Sequence, residues 1–229
     1  MTSLAERLSQ LRRQISRIAS SCDRDPSDIR LVAVSKTRPV EDILAAVEAG
    51  QRVFGENYLQ DALPKIAALR DRNLEWHFIG RIQSNKTREI AGNFAWVHAL
   101  EKLKHARRLD SQRPDNMPPL NACIQLNLTG ETSKGGIAAE ELPELLENTR
   151  DLPHLKIRGL MTMPPASAGE TLQHHVFGML RKLLEEMNRQ GHELDTLSMG
   201  MSGDMQAAIC EGATMVRIGT AIFGPRNRK

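Results

Sequence analysis

An eightfold alternation of short Val- and Ile-rich runs with longer segments of helical spacing constrains this chain most. The runs are 31–35, 52–54, 76–79, 96–98, 121–127, 156–161, 196–198 and 215–218. Each is too short for a helix, and most carry the β-branched or aromatic side chains of a buried strand. Between them, segments such as Val40 to Ala49 and the stretch bearing Leu172, Val176, Leu180, Leu184 and Met187 put apolar residues on one helical face. Strict strand–helix alternation predicts a parallel sheet of the α/β class, and eight units predict a (β/α)8 TIM-like barrel. A doubly wound open sheet is the rival; closure is preferred because it removes both edges.

Ahead of the first run, Leu4, Leu8, Leu11, Ile15 and Ile18 form one stripe on a helix over about 3–20. Almost nothing follows the eighth run. This extra N-terminal helix is therefore expected to close the wall where an eighth helix would lie. No Gly-, Pro- or Ser-rich linker interrupts the pattern, and residues 1–229 read as a single barrel domain.

Composition narrows the function classes. A net charge of +3 is too slight for a dedicated nucleic-acid binder, and basic residues with aromatic platforms are not concentrated in any stripe. The basic tail Arg226, Arg228 and Lys229 reads as a solvated end. No run approaches the 18 or so apolar residues of a membrane span, and the N-terminus lacks a signal-peptide core. Three widely spaced cysteines, Cys22, Cys123 and Cys210, argue against a zinc site and against a disulfide scaffold. A cytoplasmic protein is expected.

In a barrel, function sits on the loops at the C-terminal ends of the strands. Lys36 closes the first strand. Read structurally it is a lysine snorkelling from the rim; read chemically it is an amine in a half-buried mouth, destabilised as a cation and able to attack a carbonyl. That chemistry suits an aldehyde cofactor or an aldolase substrate alike. The seventh loop, Ser198-Met-Gly-Met-Ser202-Gly-Asp204, and the Gly219-Thr220 step supply glycines and hydroxyls from the two loops that usually cradle phosphate. A helix beginning near Asp204 would add its positive end, with Asp204 as its cap. Arg217 lies between Val216 and Ile218, a costly place for charge unless it is paired or faces the mouth. Asn57 follows the second strand and His77 sits in the third; a packed strand histidine explains His77 as well as a site role does. His174-His175 is too local a pair for a metal site, Trp76 and Trp96 read as core or rim anchors, and 131–136 reads as an anion-binding or ordinary surface loop.

Taken in order, the runs LVAVSK (31–36), FGEN (54–57), WHFIG (76–80), IQSNK (82–86), RGLM (158–161), LSMGMSGDM (197–205) and MVRIGTAIFG (215–224) closely resemble the YggS/PROSC family of pyridoxal phosphate homeostasis proteins. The resemblance spans nearly the whole chain and implies a fold-type III barrel, like that of alanine racemase. It implies pyridoxal phosphate held as a Schiff base on Lys36. Ser198, Ser202, Gly219 and Thr220 would surround the phosphate, Arg217 would approach the pyridine nitrogen, and Asn57 and His77 would line the ring pocket. An arginine there disfavours protonation of the ring nitrogen and restrains its use as an electron sink. Many relatives carry proline where this chain has Arg81, an added charge at the mouth of strand three.

The resemblance implies a role in vitamin B6 balance with little or no turnover. PLP-dependent apoenzymes are the expected recipients, and a monomer is the expected state. A fold-type III amino-acid racemase is the first alternative, but it needs a base on each face of Cα. This sequence offers no second domain to supply one, and its single tyrosine, Tyr58, neighbours Asn57. A lysine-dependent sugar-phosphate aldolase is the second alternative, sharing the barrel, the lysine and the phosphate cradle.

Overall fold

A computed structural model describes residues 2–131, 135–165 and 167–225. Its eight parallel strands close on themselves in sequence order. They are β1 (Arg30–Val34), β2 (Val53–Glu56), β3 (Glu75–Phe78), β4 (Trp96–Leu100), β5 (Leu120–Gln125), β6 (Leu155–Met161), β7 (Thr196–Ser198) and β8 (Met215–Ile218). Closure is made by β8 against β1, with Val32 opposite Arg217 and Ala33 opposite Ile218. The open-sheet rival is thereby discarded.

The helices are α1 (Leu4–Ser21), α2 (Val40–Glu48), α3 (Leu59–Ala68), α4 (Thr87–Asn93), α5 (Leu103–Ser111), α6 (Leu142–Thr149), α7 (Glu170–Arg189), α8 (Met205–Cys210) and α9 (Thr220–Phe223). Two apolar cores follow from this layering. The larger lies between helices and barrel wall, with Phe54, Phe94, Phe177 and Leu100 fully buried. The smaller fills the barrel interior with Val32, Val53, Trp96, Cys123, Met161 and Met215. Because strand side chains alternate in direction, residues two apart share the interior, and the polar residues among them form the site.

The helix α1 starts with a capping box between Ser3 and Glu6, buries Leu8, Leu11, Ile15 and Ala19, and packs against α2, α8 and α9. It takes the wall position expected of it. Arg7 Nε donates to the Ile222 carbonyl at 2.7 Å, and Arg24 Nη1 to the Ile209 and Ala213 carbonyls at 2.8 and 2.7 Å.

Two expectations are corrected here. Cys22 and Cys210 form a disulfide across 188 residues, with Cα atoms 5.2 Å apart. Their spacing in the chain carried no hint of this, because only the packing of α1 on α8 brings them together. Asp204 stands at the start of α8, but its carboxylate does not cap the helix; it accepts from the Met201 N–H at 2.5 Å and so folds the seventh loop upon itself. Thr132 to Lys134 of the 131–136 loop and the basic tail 226–229 lie outside the described residues. Among the described residues no helix is long and apolar enough to cross a membrane.

Candidate functional site

β1 ends at Val34, and the chain turns at once through Ser35, Lys36 and Thr37. Ser35 is fully buried and fixed from several sides. Its N–H donates to the Gly55 carbonyl at 3.0 Å, its Oγ donates to Glu56 Oε1 at 2.6 Å, and its carbonyl accepts from Lys65 Nζ at 2.9 Å. Lys65 Nζ also meets Glu56 Oε1 at 2.8 Å. Burial pushes the Glu56 carboxyl above its ordinary range, against the opposing pull of Lys65 and Ser35. On the other side of Lys36, Thr37 sits at φ 63°, a strained conformation for a β-branched residue. Lys36, half-buried, thus projects from a turn clamped on one side and strained on the other.

The facing loops come from β7 and β8. Gly200, at φ +98°, adopts a backbone that a side chain would resist, and its carbonyl accepts the Arg217 N–H at 2.9 Å. This stitches loop seven to β8 and brings Ser202 and Gly203 beside Gly219 and Thr220. After β2, Asn57 is held by Gly80: a Cβ on that glycine would lie 2.0 Å from the Asn57 carbonyl oxygen. The Asn57 side-chain Oδ1 is buried without a hydrogen-bond partner.

These elements enclose a cavity of about 310 Å³ at the C-terminal mouth, at the small end of the range for small-molecule sites. Lys36, Asn57, Ser202, Arg217, Gly219 and Thr220 all line it, and Val34, Ile79 and Met163 give it apolar walls. Arg38 lines it as well, donating to the Gly224 and Pro225 carbonyls.

Two sequence-predicted residues stand elsewhere. The His77 and Ser198 side chains are fully buried and do not line the cavity. His77 Nδ1 lies 2.8 Å from His98 Nε2, and His77 Nε2 lies 2.6 Å from Glu75 Oε1. His98 Nδ1 lies 2.6 Å from Ser198 Oγ, which also accepts from Arg217 Nη1 at 2.6 Å. A second Arg217 nitrogen, Nη2, donates to the Thr162 carbonyl at 3.2 Å. His77 and Ser198 therefore form a layer beneath the cavity, with Arg217 as the link between layer and cavity. Both interior positions point along the strand alternation to the barrel axis, where the next layer of side chains covers them.

Electrostatics follow from this burial. Desolvation lowers the Arg217 pKa to about 10, partly offset by the Asp204 carboxylate. Desolvation also lowers both histidines, His98 well below the ordinary imidazole value with help from His77 and Arg217; Glu75 partly offsets the shift at His77. Burial pushes the Cys123 thiol up to about 12, leaving it an inert interior residue. For Glu75 desolvation acts upward, but His77 and Arg30 outweigh it and hold the carboxyl below its usual value.

Sequence reasoning missed Glu75, His98, Glu56 and Lys65. The usable signal was polar alternation inside strands, Glu75-x-His77 and Trp96-x-His98, where a barrel interior offers no water. Of the weaker candidates, Trp76 and Trp96 are buried anchors, and Arg81 is exposed outside the cavity lining. His174 pairs with Glu211 at 2.9 Å, and among the described residues no cluster of ligands could hold a metal.

The family model for the alanine racemase N-terminal domain matches residues 7–227. A pyridoxal phosphate homeostasis protein of Pseudomonas aeruginosa is 53% identical over 227 residues, covering 99% of this chain and 97% of the relative. The chain belongs to the pyridoxal phosphate homeostasis protein family. Within that family's reach lies PipY of Synechococcus elongatus, whose structure has been solved with pyridoxal phosphate bound; it is 36% identical, with a TM-score of 0.87, covering 97% of this chain and all of that one. The alanine racemase of Corynebacterium glutamicum shares the fold, at 16% identity and a TM-score of 0.69, over 95% of this chain and 60% of its own. The family barrel is therefore the alanine racemase barrel, as the ordered motifs implied.

Proposed function

We propose that this protein binds pyridoxal phosphate in the C-terminal cavity, as a Schiff base on Lys36, and serves intracellular vitamin B6 balance with little or no turnover. One observation carries the reading: an amine, an arginine and two hydroxyl- and glycine-bearing loops from β1, β7 and β8 converge on one small cavity. The fit to the cofactor is chemical. Its aldehyde requires a primary amine, with nitrogen bonding the carbonyl carbon as water leaves. Its phosphate requires hydroxyl and backbone donors, which Ser202, Gly203, Gly219 and Thr220 offer. Its ring requires apolar walls, and the unpartnered Asn57 Oδ1 marks polar capacity left for a ligand. In this reading Arg217 faces the ring nitrogen, and Ser198 and His77 act from beneath it. The bound cofactor supplies an electrophilic aldehyde and a pyridine electron sink.

Restrained chemistry is supported by the single tyrosine. Tyr58 is 57% exposed and outside the cavity lining, so among the described residues no tyrosine stands opposite Lys36 to act as a second base. The same proposal takes residues 1–229 as one domain, a monomer working in the cytoplasm and releasing cofactor to PLP-dependent apoenzymes. Purified protein is expected to be yellow, to bleach with borohydride alone, and to carry the reduced adduct on Lys36 by mass mapping, with Lys36→Ala colourless. A colourless protein trapped only with a sugar phosphate would transfer the reading to an aldolase. Rapid Lys36-dependent exchange of an amino acid's α-hydrogen in deuterated buffer would transfer it to a racemase.

A further inference from the structure

The buried hydrogen bonds beneath the cavity have only one possible direction. Arg217 can only donate, so Ser198 Oγ accepts from it; the remaining links are set from the Glu75 end, and they leave Ser198 to turn its own proton to His98 Nδ1. His98 must then carry its proton on Nε2 and donate to His77 Nδ1. His77 in turn carries its proton on Nε2 and donates to Glu75 Oε1, an ionised carboxylate that only accepts. The second Glu75 oxygen accepts from Arg30 Nη2 at 2.9 Å. The first link is thus oriented by the cation and the other three by the anion, with two neutral imidazoles between. The chain crosses the barrel interior through β8, β7, β4 and β3. It ends in a second cavity of about 400 Å³ at the N-terminal mouth, lined by Glu75 with Arg30, Trp96, Asn121, Arg158 and Asp195.

We propose that Glu75, at the mouth opposite the cofactor cavity, is a positioning residue for the cofactor. It terminates a one-way relay that fixes the orientation of Arg217 and adds a remote negative charge beneath the ring. The inference rests on the pyridoxal phosphate reading and deepens it. A protonated Glu75 would itself donate to His77 Nε2 and reverse each imidazole. His98 Nδ1 would then point its proton at Ser198 Oγ, already the acceptor for Arg217, and the serine proton would lose its acceptor. Other charged or titratable groups facing the relay are few: Arg30 from β1 on Glu75, Cys123 from β5 and Asp204 from loop seven on Arg217, with Arg158 and Asp195 at the N-terminal mouth. All of these keep their own charge when Glu75 alone is changed, while Arg30 loses its anionic partner.

The test compares cofactor-loaded wild type with Glu75→Gln, whose carboxamide keeps the shape but loses the charge and can donate as well as accept. Two readouts are taken: histidine 15N NMR for the tautomers, and the pH midpoint of the bound cofactor's visible absorbance. Wild type is expected to hold both histidines as neutral Nε2–H tautomers. Glu75→Gln is expected to mix the tautomers and move the midpoint to lower pH by about half to one unit, since an anion that favours a nearby protonated nitrogen is gone. Glu75→Asp should move it less. Asp195→Asn, at the same mouth but outside the relay, should leave it in place. If Glu75→Gln is too unstable to measure, His98→Gln interrupts the relay at its centre and is expected to move the midpoint likewise. A yellow wild type with the same midpoint in Glu75→Gln, or an equal shift in Asp195→Asn, overturns the relay and spares the cofactor reading. A wild type with no visible band and no Lys36 adduct overturns the cofactor reading, and this inference with it.

Discussion

The two mouths of the barrel are built from similar residue types and spend them differently. At the N-terminal mouth, Arg30 meets Glu75, Arg158 meets Asp195 and Asn121, and the Arg158 guanidinium stacks over Trp96. The described charges there are paired within the protein at a partly solvated surface. At the C-terminal mouth, hydroxyls, glycines, an amine and an arginine face a cavity, and Asn57 keeps an unpaired acceptor. One mouth pairs its charges with each other across a surface; the other sets an amine, an arginine and hydroxyls around a cavity. The ion pair that clamps the turn after β1 differs as well: Lys65 and Glu56 are 8% and 0% exposed, whereas Arg158 and Asp195 are 29% and 50% exposed. Buried and exposed pairs respond very differently to losing a partner, so the contrast between mouths is measurable.

Lys65→Met should give the largest effect, because it strands Glu56 in the interior. A loss of about 3–5 kcal/mol in urea unfolding is expected, with most of it recovered in Glu56→Leu/Lys65→Met, where no buried charge remains. Should the double variant be no better than the single, the pair is not the buried unit described. Ser198→Ala comes next. It removes the acceptor of Arg217 and the donor to His98 together, for an expected loss of about 1–3 kcal/mol in thermal or chemical unfolding.

Acid exposure should follow in size. The folded pKa values of His77 and His98 lie below that of free imidazole, so the unfolded chain binds protons where the folded chain does not. Stability is then complete above the unfolded value of about 6.5 and declines as pH falls below it. Glu75, with a lowered folded pKa, adds loss of the same sign only as pH falls below its ordinary value of 4.5. A urea midpoint that stays flat from neutrality to the carboxylate range would contradict buried neutral histidines.

Ser202→Ala should raise the dissociation constant for pyridoxal phosphate about fivefold, one hydrogen bond's worth, while leaving stability unchanged, by titration of the apoprotein. The smallest effect belongs to the other mouth. Asp195→Ala should cost about 0–1 kcal/mol and shrink further in salt, as exposed pairs do. A loss there as large as that of Lys65→Met would erase the distinction between the two ends.

Much of this arrangement was legible in the sequence. The Val- and Ile-rich runs marked all eight strands, since a parallel barrel strand is buried on both faces and has little room for polar residues. Lys36, Ser202, Gly219 and Thr220 were legible because polar residues directly after such a run have only the mouth to occupy. The layer beneath was harder to read. His98 and Ser198 are 100 positions apart and meet only when the barrel closes, and Ser198 looked like its neighbour Ser202 until strand direction turned it to the axis. Lys65 drew no reading from the sequence, because nothing local shows that α3 lays it against the end of β1. Cys22 and Cys210 hid their bond for the same reason: the contact belongs to the packing of α1 on α8.

That packing has a consequence for synthesis. The contact between Arg7 and Ile222 joins positions 215 residues apart, so α1 leaves the ribosome long before α8 and α9 exist to receive it. At about 5–20 residues per second, its apolar face waits on the order of ten to forty seconds for its final neighbours. During that interval the stripe of Leu8, Leu11 and Ile15 is open to whatever passes, and the barrel cannot be sealed until β8 is made to pair with β1. The helix that completes the wall is translated before every strand it covers and is among the last elements able to dock.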